Sequence, residues 1–444
     1  MRVRRVCTND WFQRIWTVQE MLLAPTTVFM LGRTECPASA LHTYVLLAET
    51  LMDSDTRERM LFRMRSIMLE EVAGKRPPKN SGWYSTISVT RRWPKEERDV
   101  AEINETLELL LHMGALNDAT DPRDKVYGML GMLKAFVPLE VHLPSVDYAK
   151  SVQDVFEEFA YHMMRTTGTL WPLEGILHAS AEDLPSWVPD LRDASAVAWT
   201  PFRTGLRRHV RHHNEMHLPD EWQPGRLEVR ARPLTSVLEV FTHMPRFEVG
   251  ADPKYVDAQR TDCLSAWTAI AMDRDRQLSS EDYDPEEGFC VQSLLRLTPF
   301  LDYLRKRHEP HEPEEPEEPD TTSVGRAEKP LRTSPAQQRK QKGKARNASQ
   351  GDQFFINNVY DGAALFLTEC GLWGLCKGYV KPGDQVSQLM GARVPLVLRS
   401  VGPAPASEFR LVGTTDVAEL EDPGRPNAWQ THLVEDEYFG VTLV

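Results

Sequence analysis

A tract of proline and acid divides this chain in two. Residues His308-Glu-Pro-His-Glu-Pro-Glu-Glu-Pro-Glu-Glu-Pro-Asp320 hold no side chain that could build a core. Proline fixes φ and removes a backbone donor, so neither a helix nor a central strand runs through such a tract. From Lys329 to Arg346 the charge reverses, with Lys329, Arg332, Arg339, Lys340, Lys342, Lys344 and Arg346 and no acid between them. Neither half buries enough surface to offset its ordering entropy, so 308–352 reads as a disordered linker. Its basic half is a candidate nuclear-targeting or nucleic-acid patch, set against the plainer reading of a solvated linker.

The ordered parts then comprise 1–135, 136–307 and 353–444, which fits 444 residues at roughly 100–200 residues per domain. Hydrophobic residues at 41% and charged residues at 26% are ordinary for a soluble globular chain. A net charge of −13 argues against a dedicated nucleic-acid binder, so that role falls to 329–346 alone. No apolar run is long enough to span a bilayer, so no membrane partner is expected. The basic Met1-Arg-Val-Arg-Arg-Val has no apolar run behind it and is not a signal peptide. The six cysteines are scattered without a CxxC pair, which suits reduced thiols in the cytoplasm.

Before the linker, periodicity is mainly helical. Trp11, Ile15, Val18 and Leu22 recur on one helical face, with Asn9 or Asp10 as cap. Pro25–Leu31 reads as a buried strand ended by Gly32. Helices are expected at 38–52, at 57–71 with a stripe of Met60, Met64 and Met68, and at 103–116. Asp121 caps a further helix, Pro122 suits its first position, and Arg123, Asp124 and Lys125 crowd its first turn. Another begins near Ser151, after Asp147-Tyr148. Pro185 and Pro189 keep Leu184–Asp190 extended, with Trp187 as an anchor and Asp190 as a turn residue or a binding group. Arg226–Pro233 alternates as a strand that 234–241 continues, and 263–276 and 289–307 are amphipathic. His209, His212, His213 and His217 raise a zinc question, but no Cys or acid except Glu215 stands at ligand spacing and the flanking arginines repel a cation, so no metal is expected.

After the linker the pattern changes to short strands at 363–368, 385–390, 394–398 and 409–413, separated by glycine-rich turns. Such spacing predicts a small β-barrel or sandwich. The glycines match neither GxGxxG nor GxxxxGK[ST], so no phosphate loop is assigned. The whole reads as α+β.

One stretch carries chemistry as well as fold. In Trp11-Phe12-Gln-Arg14-Ile-Trp16-Thr-Val-Gln19-Glu20 the carboxylate stands one helical turn after an indole. A carboxylate against an aromatic wall loses hydration and is suited to proton or cation chemistry. The alternative is a Glu20 that faces solvent or pairs with Arg14 or another basic residue. The stretch resembles the "W-F-x-R-x-W-x-x-Q-E" segment of the fungal heterokaryon incompatibility (HET) family. Asp121-Pro-Arg123-Asp124-Lys125-Val-Tyr-Gly-Met-Leu-Gly resembles that family's "D-P-R-D-K-V-Y-A-L-L-G-L", and Asp147-Tyr148-Ala-Lys-Ser and Leu184-Pro-Ser-Trp187-Val-Pro-Asp190 also look like family segments. Gly371, Gly374, Gly383, Asp384, Gly391, Pro395 and Arg399 resemble its usual C-terminal part. The family's earlier "A-L-S-Y-x-W-G" and "W-I-D-A-I-C-I-N-Q" segments have no counterpart, so the chain looks like a HET protein that begins part-way through its domain.

The resemblance implies a role in fungal nonself recognition and regulated cell death, with an unknown protein partner. It implies a mainly helical remnant of an α/β domain distantly similar to the Toll/interleukin receptor (TIR) domain. Some TIR domains cleave NAD with a glutamate in "W-C-x-x-E", and Trp16-Thr-Val-Gln-Glu20 has that spacing. By this likeness Glu20 is the catalytic candidate, and Arg14, Trp16 and Gln19 are substrate-binding candidates. NAD would be a substrate of the full-length form, not a cofactor. Trp11, Phe12, Asp121, Arg123, Asp124, Lys125, Tyr148, Trp187, Asp190, Gly383, Asp384, Gly391 and Arg399 are expected in structural roles. With the strands ahead of Trp11 missing, the chain as given reads as inactive, a non-catalytic interaction or remnant protein, and residues 10–24 as less stable than the rest.

Overall fold

The computed structural model describes residues 11, 14–24, 28–36, 110–111, 114–115, 117–136, 143–176, 183–192, 216, 218, 222–245, 253–278, 362–403, 407–417 and 438–444. The linker, Phe12, the methionine stripe, the four histidines and the helix expected at 289–307 lie outside them. The described part is α+β, with helices and a small hairpin in the first half and a large, mainly antiparallel sheet with one long helix in the second.

Helix α1 spans Ile15–Leu23. Arg14 stands at its N-cap with an extended backbone (φ −75°, ψ 134°) and no side-chain cap, while the expected caps Asn9 and Asp10 lie outside the described residues. Instead Ile15 N–H donates to the Asp118 carbonyl at 3.0 Å, so a distant segment satisfies the helix start. Within the strand expected at 25–31, β1 (Phe29–Leu31) pairs with β2 (Thr34–Cys36) in a hairpin turned at Gly32, and residues 25–27 lie outside the described ones. Phe29 is buried but Val28 and Met30 are exposed, so the strand is half-solvated and not buried throughout. Trp11 meets the Phe29 ring edge-on at 6.1 Å.

Helix α2 (Asp124–Phe136) buries Val126, Met129, Leu130, Met132 and Leu133. Helix α3 (Val152–Thr167) opens on a capping box. Ser151 accepts from the Asp154 N–H while the Asp154 carboxylate accepts from the Ser151 N–H. It ends at Gly168, whose φ of +63° suits a left-handed C-cap. Val155, Phe156, Phe159, Met163 and Met164 form its buried stripe. A short α4 (Trp171–Glu174) follows, begun by a proline in its first turn. Helix α5 runs from Pro253 to Leu278, starting ten residues ahead of the amphipathic stretch expected at 263–276.

The sheet is organised by one strand from the middle of the chain. Strand β3 (Leu227–His243) takes β9 (Phe439–Leu443) on its first third, β6 (Gln385–Leu389) on its middle and β4 (Ala364–Thr368) on its last third. It passes through Pro233, which lacks an N–H, and the β3–β6 register shifts between Pro233 and Thr235. β4 pairs with β5 (Trp373–Cys376), β5 with β8 (Glu408–Val417), β8 with β7 (Leu396–Ser400) and β7 with β6. The ring β3-β4-β5-β8-β7-β6 is therefore closed, and the strand at 227–243 belongs to the same sheet as the strands after the linker.

Alternation along β7 and β8 sets two cores. Val397 and Val412 point inward with Val237, Phe366, Cys376 and Val386. Leu396, Leu398 and Leu411 point outward into a second cluster with Phe156, Trp171 and Trp187. The outer face of the β6-β7-β8 wall is thus covered by the helical part.

Candidate functional site

The family-like segments at 11–20 and 121–131 pack together as α1 against α2. Ile15 and Val18 are buried at this crossing. Burying one such aliphatic side chain contributes roughly 1.5–3 kcal/mol. Gly128 and Gly131 make the close approach possible. A Cβ at Gly128 would lie 2.7 Å from Ile15 Cγ1, and one at Gly131 would collide with the Gln19 amide. Gln19 Nε2 donates to the Gly128 carbonyl at 2.5 Å and to the Tyr127 carbonyl at 3.3 Å. Gln19, a substrate-binding candidate by resemblance, here sends its donor nitrogen to the backbone of α2.

Thr17 of α1 is buried as well, and the more exposed residues lie on the other side of the helix. Glu20 and Arg14 are exposed and Trp16 is half-buried, packed on the helical core. Glu20 and Trp16 share the outer helical face, one turn apart, and Glu20 takes the solvent-facing alternative. Two open grooves lie elsewhere. The larger, about 490 Å³, is lined by Leu218, Glu228, Val229, Arg230, Gly440, Val441 and Thr442 on β3 and β9. The smaller is lined by Met216, Leu218, Val229, Arg230 and Met390. Neither is lined by a residue of α1.

The first turn of α2 is a clasp for the segment ahead of α3. Arg123 donates to the Tyr148 and Lys150 carbonyls at 2.5 and 2.8 Å and pairs with Asp121 at 2.7 Å. Its guanidinium also lies 5.2 Å from the Tyr148 ring centre. That hydrogen-bonded guanidinium holds Asp121 below its usual range. Tyr148 Oη donates to Asp124 at 2.6 Å, and this bond, with burial and the nearby acids, pushes the phenol up to about 12. Tyr127 Oη donates to the Asp147 carbonyl at 2.7 Å. Lys125 is buried, and its ammonium donates to the Ala115 and Asn117 carbonyls.

The remaining family-like residues are engaged in the fold. Trp187 is fully buried. Asp190 accepts from the Arg192 N–H at 3.0 Å and from its guanidinium at 2.8 Å, while Arg192 also grips Asp183. Gly383 (φ +87°) turns the chain into Asp384, which pairs with Arg399. Gly391 (φ +89°) turns β6 towards β7, and its carbonyl accepts from Leu170 N–H at 2.9 Å. Two further carboxylates were not singled out from sequence. Glu174 is buried and accepts from Arg393 Nε at 2.7 Å. Glu157 is buried between the Gln153 amide and the Gly225 N–H. Among the described residues no group of His, Cys, Asp and Glu could hold a metal ion, and no helix is long and apolar enough to cross a membrane.

Comparison with known proteins yields a distant relative. The chain is 25% identical over 206 residues to heterokaryon incompatibility protein 6, OR allele, of Neurospora crassa. The match covers 41% of this chain and spans 28% of the relative's length. No protein-family profile matches the chain, and no solved structure does. The similarity is HET-like in kind and partial in extent.

Proposed function

We propose that this is a heterokaryon-incompatibility-type protein of fungal nonself recognition and regulated cell death, with the outer face of α1 as the surface that meets a protein partner. The observation that carries this reading is the α1–α2 crossing. Gln19, Arg123, Asp124 and Lys125 are committed to holding the two segments and their neighbours in place, whereas Trp16 and Glu20 stand on the outer face. The relative in Neurospora crassa supports the same role by its name. The test is inducible expression in a fungal host with hyphal death scored by dye uptake. Death that the Trp16→Ala and Glu20→Ala variants no longer trigger supports the reading. Wild-type protein that leaves hyphae intact in every partner strain would sink it.

A second reading is NAD cleavage at Glu20 by the full-length form, supported by the tryptophan-to-glutamate spacing. The carboxylate would hold the nicotinamide riboside and stabilise positive charge as the glycosidic bond breaks. Electrostatic stabilisation of this kind is strongest where water is excluded. Glu20 is exposed, which favours the interaction surface over the enzyme. Nicotinamide release from NAD that vanishes in Glu20→Ala would reverse that preference.

A further inference from the structure

We infer that Gln19 is a positioning residue, an amide lock that fixes the rotation of α1 on α2 and so aims Trp16 and Glu20 outward. The inference rests on the reading that this outer face is the working surface. Three features of the crossing converge on it. The Gln19 amide nitrogen donates to main-chain carbonyls of one turn of α2, those of Tyr127 and Gly128. Backbone acceptors cannot change rotamer, so they fix a position more tightly than side-chain acceptors would. The amide oxygen fills the space that a side chain at position 131 would take. Ile15, one turn earlier on α1, occupies the matching space at Gly128. Two glycines three residues apart on α2 thus receive two side chains four residues apart on α1.

The geometry also separates α1 into two roles. Ile15, Val18 and Gln19 face α2, while Trp16, Glu20 and Leu23 lie on the other side. A quarter-turn of α1 about its axis would carry Glu20 towards the core and break both amide bonds. Packing of Ile15 and Val18 is non-directional and tolerates small rotations. The paired amide bonds are directional and do not.

The experiment compares Gln19→Met, which keeps length and removes both donors, with Gly131→Ala, which disturbs the same lock from the other helix and touches no outward residue. Hydrogen exchange over Ile15–Leu23 is read beside hyphal death. Loss of about one to two hydrogen bonds predicts a tenfold fall in α1 protection in both variants. The lock further predicts that both variants lose the death response together. Unchanged α1 protection in both variants would overturn the lock, whatever the wild-type protein does to hyphae. A death response lost in Gln19→Met but kept in Gly131→Ala would overturn it differently, by making Gln19 a direct contact of the partner. The exchange measurement stands without the biological one, so failure of the functional reading and failure of the lock are told apart. Should Gln19→Met not fold, Gly131→Ala alone still decides the exchange arm.

Discussion

The Arg399 guanidinium grips the Asp384 carboxylate at both oxygens, Nε 2.8 Å from Oδ1 and Nη2 2.7 Å from Oδ2. The same guanidinium donates to the Tyr379 carbonyl at 2.6 Å, and Lys381 N–H donates to Asp384 at 2.7 Å. One ion pair therefore closes the loop between β5 and β6. The neighbouring Val237 N–H donates to the Asp384 carbonyl at 2.8 Å, which ties that loop to β3. Asp384 is buried, so removal of its partner strands a charge. Arg399→Ala is expected to cost about 3 kcal/mol by denaturant unfolding. Arg399→Lys recovers only part, because an ammonium cannot make the two-pronged contact. Full recovery by lysine would contradict the bidentate role.

Glu174 and Arg393 give an asymmetric pair. Glu174 is 1% exposed at its side chain and Arg393 is 19% exposed. Arg393 also donates its backbone N–H to Glu174 at 2.5 Å. The pair joins the helical part to the turn between β6 and β7. Deleting Arg393 leaves a buried carboxylate, whereas deleting the carboxylate leaves a guanidinium able to reach water. Arg393→Ala should therefore cost about 3–5 kcal/mol and Glu174→Gln about 1–2 kcal/mol. Equal losses in urea melts would show that the two charges are equally desolvated.

Alkaline pH reports on the Tyr148 clasp. Its folded pKa, about 12, lies above the ordinary 10.0 chiefly because the hydroxyl donates to Asp124. The folded state keeps a proton that the unfolded state loses first. Stability from the clasp is then fully present below pH 10 and is lost as pH rises through 12. Tyr148→Phe should be less stable at pH 8, and its deficit should shrink between pH 10 and 12. No deficit in Tyr148→Phe at pH 8 would mean that the ring, stacked under Arg123, and not the hydroxyl, carries the clasp.

Among the described thiols Cys263, Cys370 and Cys376, reactivity should favour Cys370. Burial raises its pKa, but hydrogen bonds from Thr235, Thr368 and backbone N–H groups outweigh that and lower it overall. Cys376, sealed in the barrel, is pushed up to about 12 by burial, and Cys263 to about 11. Since the thiolate is the nucleophile, alkylation near neutral pH should reach Cys370 more than about tenfold faster than either. Site-resolved peptide mass spectrometry checks the order. Equal labelling would point to opening of the barrel.

Local signals made some of this architecture legible. The buried stripe of α3 and its start at Ser151 follow from spacing and a capping residue. The strands after the linker follow from short apolar runs between glycines. Contacts between distant segments left no such trace. Gln19 looks like any helical glutamine until Tyr127 and Gly128 are brought beneath it. Glu174 meets Arg393 across 219 residues of chain, and neither is marked by its neighbours. The pairing of β3 with strands beyond the linker was hidden for the same reason: alternation predicts a strand, not its partners. The group that satisfies the first N–H of α1 was hidden too, because that acceptor, Asp118, is remote in sequence. The carboxylate-against-indole reading of Glu20 depended on which way one residue points, and helical periodicity alone left both directions open.

Two glycines of the barrel separate steric from conformational demands. Gly383 has a φ of +87° with open space around it, so Gly383→Ala pays only for left-handed backbone, about 1–2 kcal/mol. Gly378 is buried, and a Cβ there would fall inside contact distance of the Val412 carbonyl oxygen on β8. That neighbour is backbone and cannot rotate away. It is also held by its strand, since β8 pairs with both β5 and β7. Gly378→Ala must then push β8 off the chain that follows β5, beside Gly413, whose own Cβ position is 3.2 Å from the Gly378 nitrogen. We expect a loss above about 3 kcal/mol, beyond ordinary overpacking, and a broadened melt as the ring opens there. Measured side by side in urea, the order Gly378→Ala well below Gly383→Ala is the expected result. The reverse order would mean that β5 and β8 are not paired at Cys376 and Thr415.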